Sequence, residues 1–285
     1  MIDMDDILFD SFKDSLLIFA FVFLIHIALS YFEEKISHFF TRHHKSGPLF
    51  GSLFGLVPQC GTSVIGADLY IYKYITLGTL CAIFLSCSDE AFIAILTSGS
   101  EKTICILPLI AIKFLVGFVA GFIIDFLYKK QSIKKPETNV ICDTCHVHDE
   151  ENTPIHQHLI HPLMHSLEIF VYVFVINLLL GIIIVLVGKE NFSSFLEANK
   201  YLTPLYSCLI GLIPNCASSL LISELFISGK LSFGALVGGL LVNSGLGMLV
   251  LLKNRHQIKN AIFIILLCLF IALIVSYCVC LINGF

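Results

Sequence analysis

Charge is scarce in this chain. Of its 285 residues only 13% are Asp, Glu, Lys or Arg, against 57% hydrophobic, and the mean hydropathy is +0.91. Soluble domains are about a quarter charged, so a water-soluble globule is excluded and a polytopic membrane protein remains. Strands that alternate apolar and polar residues, the mark of an outer-membrane barrel, are missing. The apolar runs are instead long enough for helices crossing a core that needs about 20 residues. Other absences narrow the function. There is no Gly-x-x-x-x-Gly-Lys-Ser/Thr phosphate loop, so an ion gradient rather than nucleotide hydrolysis is the expected energy source. There is no His-Glu-x-x-His and no nucleophile paired with a base, which speaks against an enzyme. No basic start is followed by a cleavage site; Met1 to Asp14 is acidic, and no removable signal peptide is expected. Nothing points to nucleic acid as a partner. The 11 cysteines lie mostly inside apolar segments or in one loop, and read as reduced thiols rather than a disulfide framework.

What is present is a repeat. Gly55-Leu56-Val57-Pro58-Gln59-Cys60-Gly61 returns as Gly211-Leu212-Ile213-Pro214-Asn215-Cys216-Ala217, offset by 156 residues. The offset holds without a gap from Pro48/Pro204 to Ser88/Ser244. Within it Pro48, Gly55, Pro58, Cys60, Ser63, Gly78, Leu80 and Ser88 meet their own kind, Gln59 meets Asn215, and Asp68 meets Glu224. A second register, offset 151, relates the preceding spans: Ser15-Leu16 to Ser166-Leu167, Ile18-Phe19 to Ile169-Phe170, and His26 to Asn177.

The expected order is a span over Ser15–Phe32, a broken segment over Pro48–Tyr72, and spans over Ile75–Leu96 and Ile104–Tyr128. After a hydrophilic loop come a span over His165–Gly188, a second broken segment over Pro204–Ser228, and spans over Leu231–Leu252 and Ala261–Ile282. This divides the chain into a first transmembrane repeat (1–128), a Cys/His-rich loop (129–162) and a second repeat (163–285). The fold class expected is an all-α polytopic membrane protein of two repeats, each with three long spans and one proline-broken segment. A broken segment either re-enters or crosses twice. Both give an odd number of crossings per half, so the halves are inverted. Lys35, Arg42 and Lys45, then Lys129, Lys130, Lys134 and Lys135, then Lys253, Arg255 and Lys259 all fall on one side, which the positive-inside rule makes cytoplasmic. Both termini are then outside.

The candidate site starts at the broken segments. Pro58 and Pro214 remove a backbone donor and disfavour helix just before them. The freed carbonyls inside a membrane need protein partners or a wet cavity. Gln59 and Asn215 offer amides beside them, and Cys60 and Cys216 soft ligands. One such motif is as readily a kink satisfied by neighbouring helices; two in inverted positions favour a binding site. Asp89 and Glu90 lie deep in a span, where ionisable groups cost several kcal/mol and face a cavity or a partner. Their second-half counterparts are Gly245 and Leu246, while Asn243 and Ser244 stand opposite Cys87 and Ser88. Lys113, with an apolar counterpart near Leu269 or Phe270, is expected to pair with one of the two carboxylates; a purely structural ion pair is the plainer alternative. His26 and Asn177 read as interhelical hydrogen bonds before ligands. Asp68 and Glu224 read equally as interface residues or gates. In the loop, Cys142, Cys145, His146, His148, His156 and His158 have the types and spacing of a zinc-like site, or belong to a flexible His-rich linker. No resident cofactor is otherwise expected.

Gly55–Gly61, Thr76-Leu77-Gly78-Thr79-Leu80 and Ser86-Cys87-Ser88-Asp89-Glu90-Ala91, together with the Cys/His loop before Pro162-Leu163-Met164-His165-Ser166-Leu167, resemble a family of bacterial membrane proteins. These are described as ten-helix heavy-metal exporters, often as manganese transporters, distantly related to arsenical permeases. The resemblance covers nearly the whole chain. It implies export of a metal or metalloid across the cytoplasmic membrane. Cys87 departs from it, standing where a threonine is expected. The leading expectation is a proton-coupled secondary transporter exporting a divalent cation, manganese first. Its oxygen ligands would come from Asp89, Glu90, Gln59, Asn215, Asn243, Ser88 and Ser244. The alternative is a permease for a thiophilic metalloid or organoarsenical that uses Cys60 and Cys216. A metal sensor built on the loop is a third possibility. The expected partners are the lipid bilayer, the metal cargo and a second copy of the chain.

Overall fold

The computed structural model describes residues 16, 19, 23, 46–57, 61–88, 90–97, 101–128, 163, 167, 170, 171, 174, 175, 201–214, 216–253 and 258–283. Packing divides the chain into two units, 1–42 with 134–188 and 43–133 with 189–285, so each unit takes part of each half of the sequence. In the first unit Phe19 stacks on Phe23 and Phe170 on Phe174, and Phe19 meets Phe170 edge-on at 5.9 Å. Phe19 and Phe170 are partners in the 151-residue register, as are Phe23 and Phe174.

The second unit holds all the elements that follow. The first half supplies α1 (Gly47–Gly55), α2 (Gly61–Ile71), α3 (Leu77–Ser86), α4 (Glu90–Thr97), a 3₁₀ turn (Glu101–Cys105) and α5 (Ile106–Leu127). The second half supplies α6 (Thr203–Gly211), α7 (Cys216–Ile227), α8 (Phe233–Val242), α9 (Gly247–Lys253) and α10 (Ile258–Asn283). Local chemistry sets the starts. Pro48 and Pro204 sit in the first turns of α1 and α6, where a missing N–H costs nothing. Thr76 and Ser232 N-cap α3 and α8 by accepting from the backbone N–H groups of Thr79 and Ala235. Asp125 strengthens the first cap, accepting from the Thr76 hydroxyl at 2.7 Å and from Gly78 N–H at 2.8 Å. Helices α2 and α7 end alike. Lys73 has φ +63° and Gly229 φ +80°, and the next residue's N–H returns five positions, Tyr74 to Leu69 O and Lys230 to Leu225 O. That is a Schellman-type stop, which favours glycine.

The spans expected to run unbroken over Ile75–Leu96 and Leu231–Leu252 are each two helices. Helix α3 stops at Ser86 and α4 starts at Glu90; α8 stops at Val242 and α9 starts at Gly247. The described residues at these breaks, Cys87, Ser88, Asn243, Ser244, Gly245 and Leu246, are as buried as the helices they join. Helix α1 ends at Gly55 and α2 starts at Gly61, and α6 ends at Gly211 and α7 starts at Cys216; residues 58–60 and 215 lie outside the described residues.

Among the described residues, three stretches are long and apolar enough to cross a membrane: Thr103–Leu127, Phe233–Lys253 and Ile258–Ile282. They differ in position. The most apolar part of the middle one is 89% buried, the others only 22% and 28%. Every residue of α3 is buried, and nearly all of α8. Helices α5 and α10 bury one stripe each: Leu109, Lys113, Gly117, Gly121 and Ile124 on α5, and Ile264, Cys268, Ala272, Ser276 and Cys280 on α10. Their exposed faces carry Leu115, Val119, Phe122, Phe126, Leu266, Phe270 and Ile274. The outward faces are bulkier and more apolar than the inward ones, as lipid as solvent demands. Helix α3 packs against α1 and α5, and α8 against α6 and α10; across the halves α2 packs on α9 and α7 on α4. Bare glycine faces allow the closest approaches. Gly55 lies on the Ile83 carbonyl, and Gly211 lies on the Gly239 carbonyl, 156 residues further on.

Candidate functional site

The site is built around the two breaks, because breaking a buried helix leaves backbone groups that must find partners. In the first break Cys87 N–H returns to Phe84 O at 3.2 Å and Ser88 N–H reaches Gly55 O at 3.0 Å. The end of α1 is therefore tied to the end of α3. The Ser86 hydroxyl donates to Ala82 O at 2.7 Å and the Ser88 hydroxyl to Ser86 O at 3.2 Å.

The second break is closed by one amide. Asn243 Oδ1 accepts from Gly245 N–H at 2.9 Å, and Asn243 Nδ2 donates to Ser218 Oγ at 3.2 Å. The Ser218 hydroxyl in turn donates to Ile213 O at 2.9 Å, one residue before Pro214. A polar chain thus runs from the broken tip between α6 and α7 to the break between α8 and α9. Gly245 has φ +60°, a left-handed conformation that glycine adopts without strain.

The other half of the sequence clamps this break on both sides. Lys113, on α5 and 1% exposed, donates from Nζ to Leu240 O at 2.7 Å, and its ammonium lies 5.5 Å from the centre of the Phe92 ring. Leu240 is in the last turn of α8, whose carbonyls lose their helical donors at the break. On the far side Gly247 N–H, at the start of α9, donates to Ser63 Oγ on α2 at 3.2 Å. The Ser244 hydroxyl between them is buried with no hydrogen-bond partner, as are those of Ser207 on α6 and Ser223 on α7.

The expected site residues fall as follows. Ser88, Asn243 and Ser244 are buried at the breaks. Lys113 reaches the second break. Glu90 and Cys216 are the first residues of α4 and α7, and Pro214 precedes α7. Asp68 is half-buried on α2 and Glu224 is exposed on α7. Pro58, Gln59, Cys60, Asp89, Asn215, His26, Asn177 and the loop residues Cys142, Cys145, His146, His148, His156 and His158 lie outside the described residues. Among the described residues no three His, Cys, Asp or Glu side chains gather as a metal cluster.

Three contributors were not nominated from sequence. Ser63 was visible only as a matched position in the repeat. Ser218 has no matched identity, standing opposite Thr62. The Leu240 carbonyl is backbone and leaves no residue signature. The counterpart of Lys113 also differs from expectation. The face of Gly78 lies against Gly121 and Asp125, and that of Gly234 against Ser276 and Cys280. Helices α5 and α10 are thus related by 155 residues, and Cys268, rather than Leu269 or Phe270, stands where Lys113 does.

Carbonyls, hydroxyls and an amide around two broken helices, with carboxylate-bearing sequence entering one of them, suit a dehydrated cation better than a bond-making reaction. No curated protein and no solved structure matches the chain. A family model described as "Putative, 10TM heavy-metal exporter" matches residues 3–187 and 167–284. That covers almost all of a chain with three described apolar stretches of membrane-crossing length, and the protein is a multi-pass membrane protein belonging to the ArsP_2 family.

Proposed function

We propose that the protein is a secondary transporter that exports a divalent metal cation across the bacterial cytoplasmic membrane, with manganese as cargo and protons as the coupling ion. The observation that carries this reading is that the buried spans α3–α4 and α8–α9 both break, with the second break held from both sides by Lys113 and Ser63 of the first half. Discontinuous buried helices whose polar ends meet between two halves are how transporters present backbone and side-chain oxygens to an ion.

The halves act as inverted repeats. Helices α1, α3 and their caps coincide with α6, α8 and theirs at the 156-residue offset, and the cross-half pairings of α2 with α9 and of α7 with α4 exchange when the halves are exchanged. In this reading Asp89 and Glu90 give the site its affinity, Asn243, Ser88 and Ser244 complete an oxygen-rich shell, and Gln59 and Asn215 line the approach beside Pro58 and Pro214. Such a shell favours manganese over a thiophilic ion. One carboxylate takes a proton when the metal leaves; the other is balanced by Lys113. The Cys142–His158 loop lies on the cytoplasmic side and delivers or senses metal without forming the path.

The test is a metal-sensitivity panel in cells with and without the protein, followed by metal flux into everted vesicles, for wild type, Asp89→Asn and a Cys60→Ser/Cys216→Ser variant. Manganese tolerance that requires Asp89 and survives loss of both cysteines supports the reading. Arsenical resistance that requires both cysteines replaces it with the metalloid permease. Unchanged tolerance to every metal and arsenical removes export altogether.

A further inference from the structure

Helices α1 and α2 have 9 and 11 residues, and α6 and α7 have 9 and 12. At 1.5 Å per residue each is about 14–18 Å long. A membrane core is about 30 Å thick. Each leg has about half the length that a crossing needs.

Packing fixes how deep the legs reach. In the first half the ruler is α5, within the apolar stretch Thr103–Leu127. Pro48 at the start of α1 lies on the bare face of Gly121, and Ser52 on that of Gly117. Four residues along α1 match four back along α5. Gly55, at the end of α1, therefore comes level with Phe114, next to the middle of the stretch. There Gly55 O accepts from Ser88 N–H in the first break. Helix α2 leads back: its Gly66 lies on Ile83 of α3, and beyond its stop Thr76 donates to Asp125, near the end of α5 where Pro48 sits. Both ends of the α1–α2 pair are at one end of α5, and its turn is at the middle.

The second half repeats this on α10, within the stretch Ile258–Ile282. Tyr277 donates to Tyr201 O just before α6, and Cys280 meets the Ser232 cap of α8, both near the end of that stretch. Gly238 lies on Ser276, and the same count brings Asn243 level with Ile271, at the middle. Asn243 is joined through Ser218 to Ile213 O, just past α6. Helix α7 then returns, its Phe226 ring 6.1 Å from that of Phe233 at the start of α8.

We propose that α1–α2 and α6–α7 are re-entrant hairpins, each turning at mid-depth beside a break and leaving by the face it entered. Each hairpin then stands between the breaks and one face of the membrane: α1–α2 at the face where α5 ends, α6–α7 at the face where α10 ends. Their non-helical turns are sheltered by protein, as that depth requires. The ten helices of the family description are then four half-depth legs and six crossings. The placement rests on packing and holds whatever the cargo.

The chain has no tryptophan, so a single introduced tryptophan reports its own depth. Leu49, Val57 and Leu202 are exposed and Ile213 is partly exposed. Leu49→Trp, Val57→Trp, Leu202→Trp and Ile213→Trp are made singly in the full chain. Each is reconstituted in phosphatidylcholine vesicles brominated either near the head group or near the end of the acyl chain. Leu115→Trp and Phe270→Trp mark mid-depth, and Phe126→Trp and Leu281→Trp mark the faces. Val57→Trp and Ile213→Trp should be quenched several-fold more by chain-end bromines than by head-group bromines, as the mid-depth markers are. Leu49→Trp and Leu202→Trp should show the reverse. Head-group quenching at Val57→Trp or Ile213→Trp, or no lipid quenching there, overturns the proposal. Thermal melting verifies folding, and Phe54→Trp and Leu212→Trp replace a turn variant that does not assemble, with the same outcome expected. Depth is read without flux, so failure of the export assay leaves this result standing.

Discussion

Lys113 Nζ donates to the carbonyl oxygen of Leu240 at 2.7 Å, joining α5 of the first half to the broken end of α8 in the second. The carbonyl end of a helix carries partial negative charge, and a cation in its last turn is stabilising. Hydrogen bonds involving a charged group are worth about 1.5–3 kcal/mol. Lys113→Met keeps the stem and removes the charge, so it should lower stability by about that amount and abolish metal flux in protein that still reaches the membrane. Thermal melting of the purified variant and vesicle flux measure the two effects. A variant with wild-type melting and wild-type flux would show that the ammonium holds nothing.

The Asn243 amide supports both sides of its break, through Gly245 N–H and Ser218 Oγ. Removing it strands the buried Gly245 N–H and takes one donor from the Ser218 hydroxyl, at a cost of about 1–3 kcal/mol. Asn243→Ala should therefore be more damaging than Ser218→Ala, and the double variant should cost less than the two singles together, with a coupling of at least about 0.5 kcal/mol. A double-mutant cycle on melting midpoints checks this. Strictly additive effects would mean that the chain from Ile213 to Gly245 does not act as a unit.

Much of this arrangement was legible in the chain. The 156-residue offset relates Thr76 to Ser232 and Gly55 to Gly211, and the structure uses those residues as caps and as close helix contacts. The breaks at Cys87–Ser88 and Asn243–Leu246 were not legible as breaks, because the first has neither proline nor glycine and both interrupt spans that are apolar on average. The contact of Lys113 with Leu240 could not be read because its acceptor is a backbone carbonyl. Cys268 was missed because the last helix runs at an offset of 155 rather than 156 residues, and on a helix one residue is a turn of about 100°.

The matched ends of α2 and α7 give a prediction of opposite signs. Lys73 and Gly229 both hold positive φ, at +63° and +80°. That region costs a side-chain-bearing residue about 1–2 kcal/mol and glycine little. Lys73→Gly should raise stability by up to about 1 kcal/mol, the rest being offset by the greater freedom of glycine in the unfolded chain. Gly229→Ala should lower it by about 1 kcal/mol. Melting midpoints of the two variants test the pair; shifts of the same sign would contradict the shared Schellman stop.

Ser244 separates a structural role from a functional one. Its hydroxyl is buried at the second break with no partner, and a buried hydroxyl left unpaired costs about 1–3 kcal/mol. Alanine removes that cost with almost no change in shape. If packing were the whole role of this position, Ser244→Ala would be neutral or stabilising and flux would be unchanged. If the hydroxyl is kept for the cargo, the same variant keeps or gains stability yet loses metal flux. The expected outcome is the second: a melting midpoint at or above wild type with flux reduced several-fold. Ser207→Ala is the comparison, since that hydroxyl is equally unpartnered but faces Gly239 at a helix crossing; it should gain stability and leave flux intact. Equal flux in the two variants would take Ser244 out of the ion path.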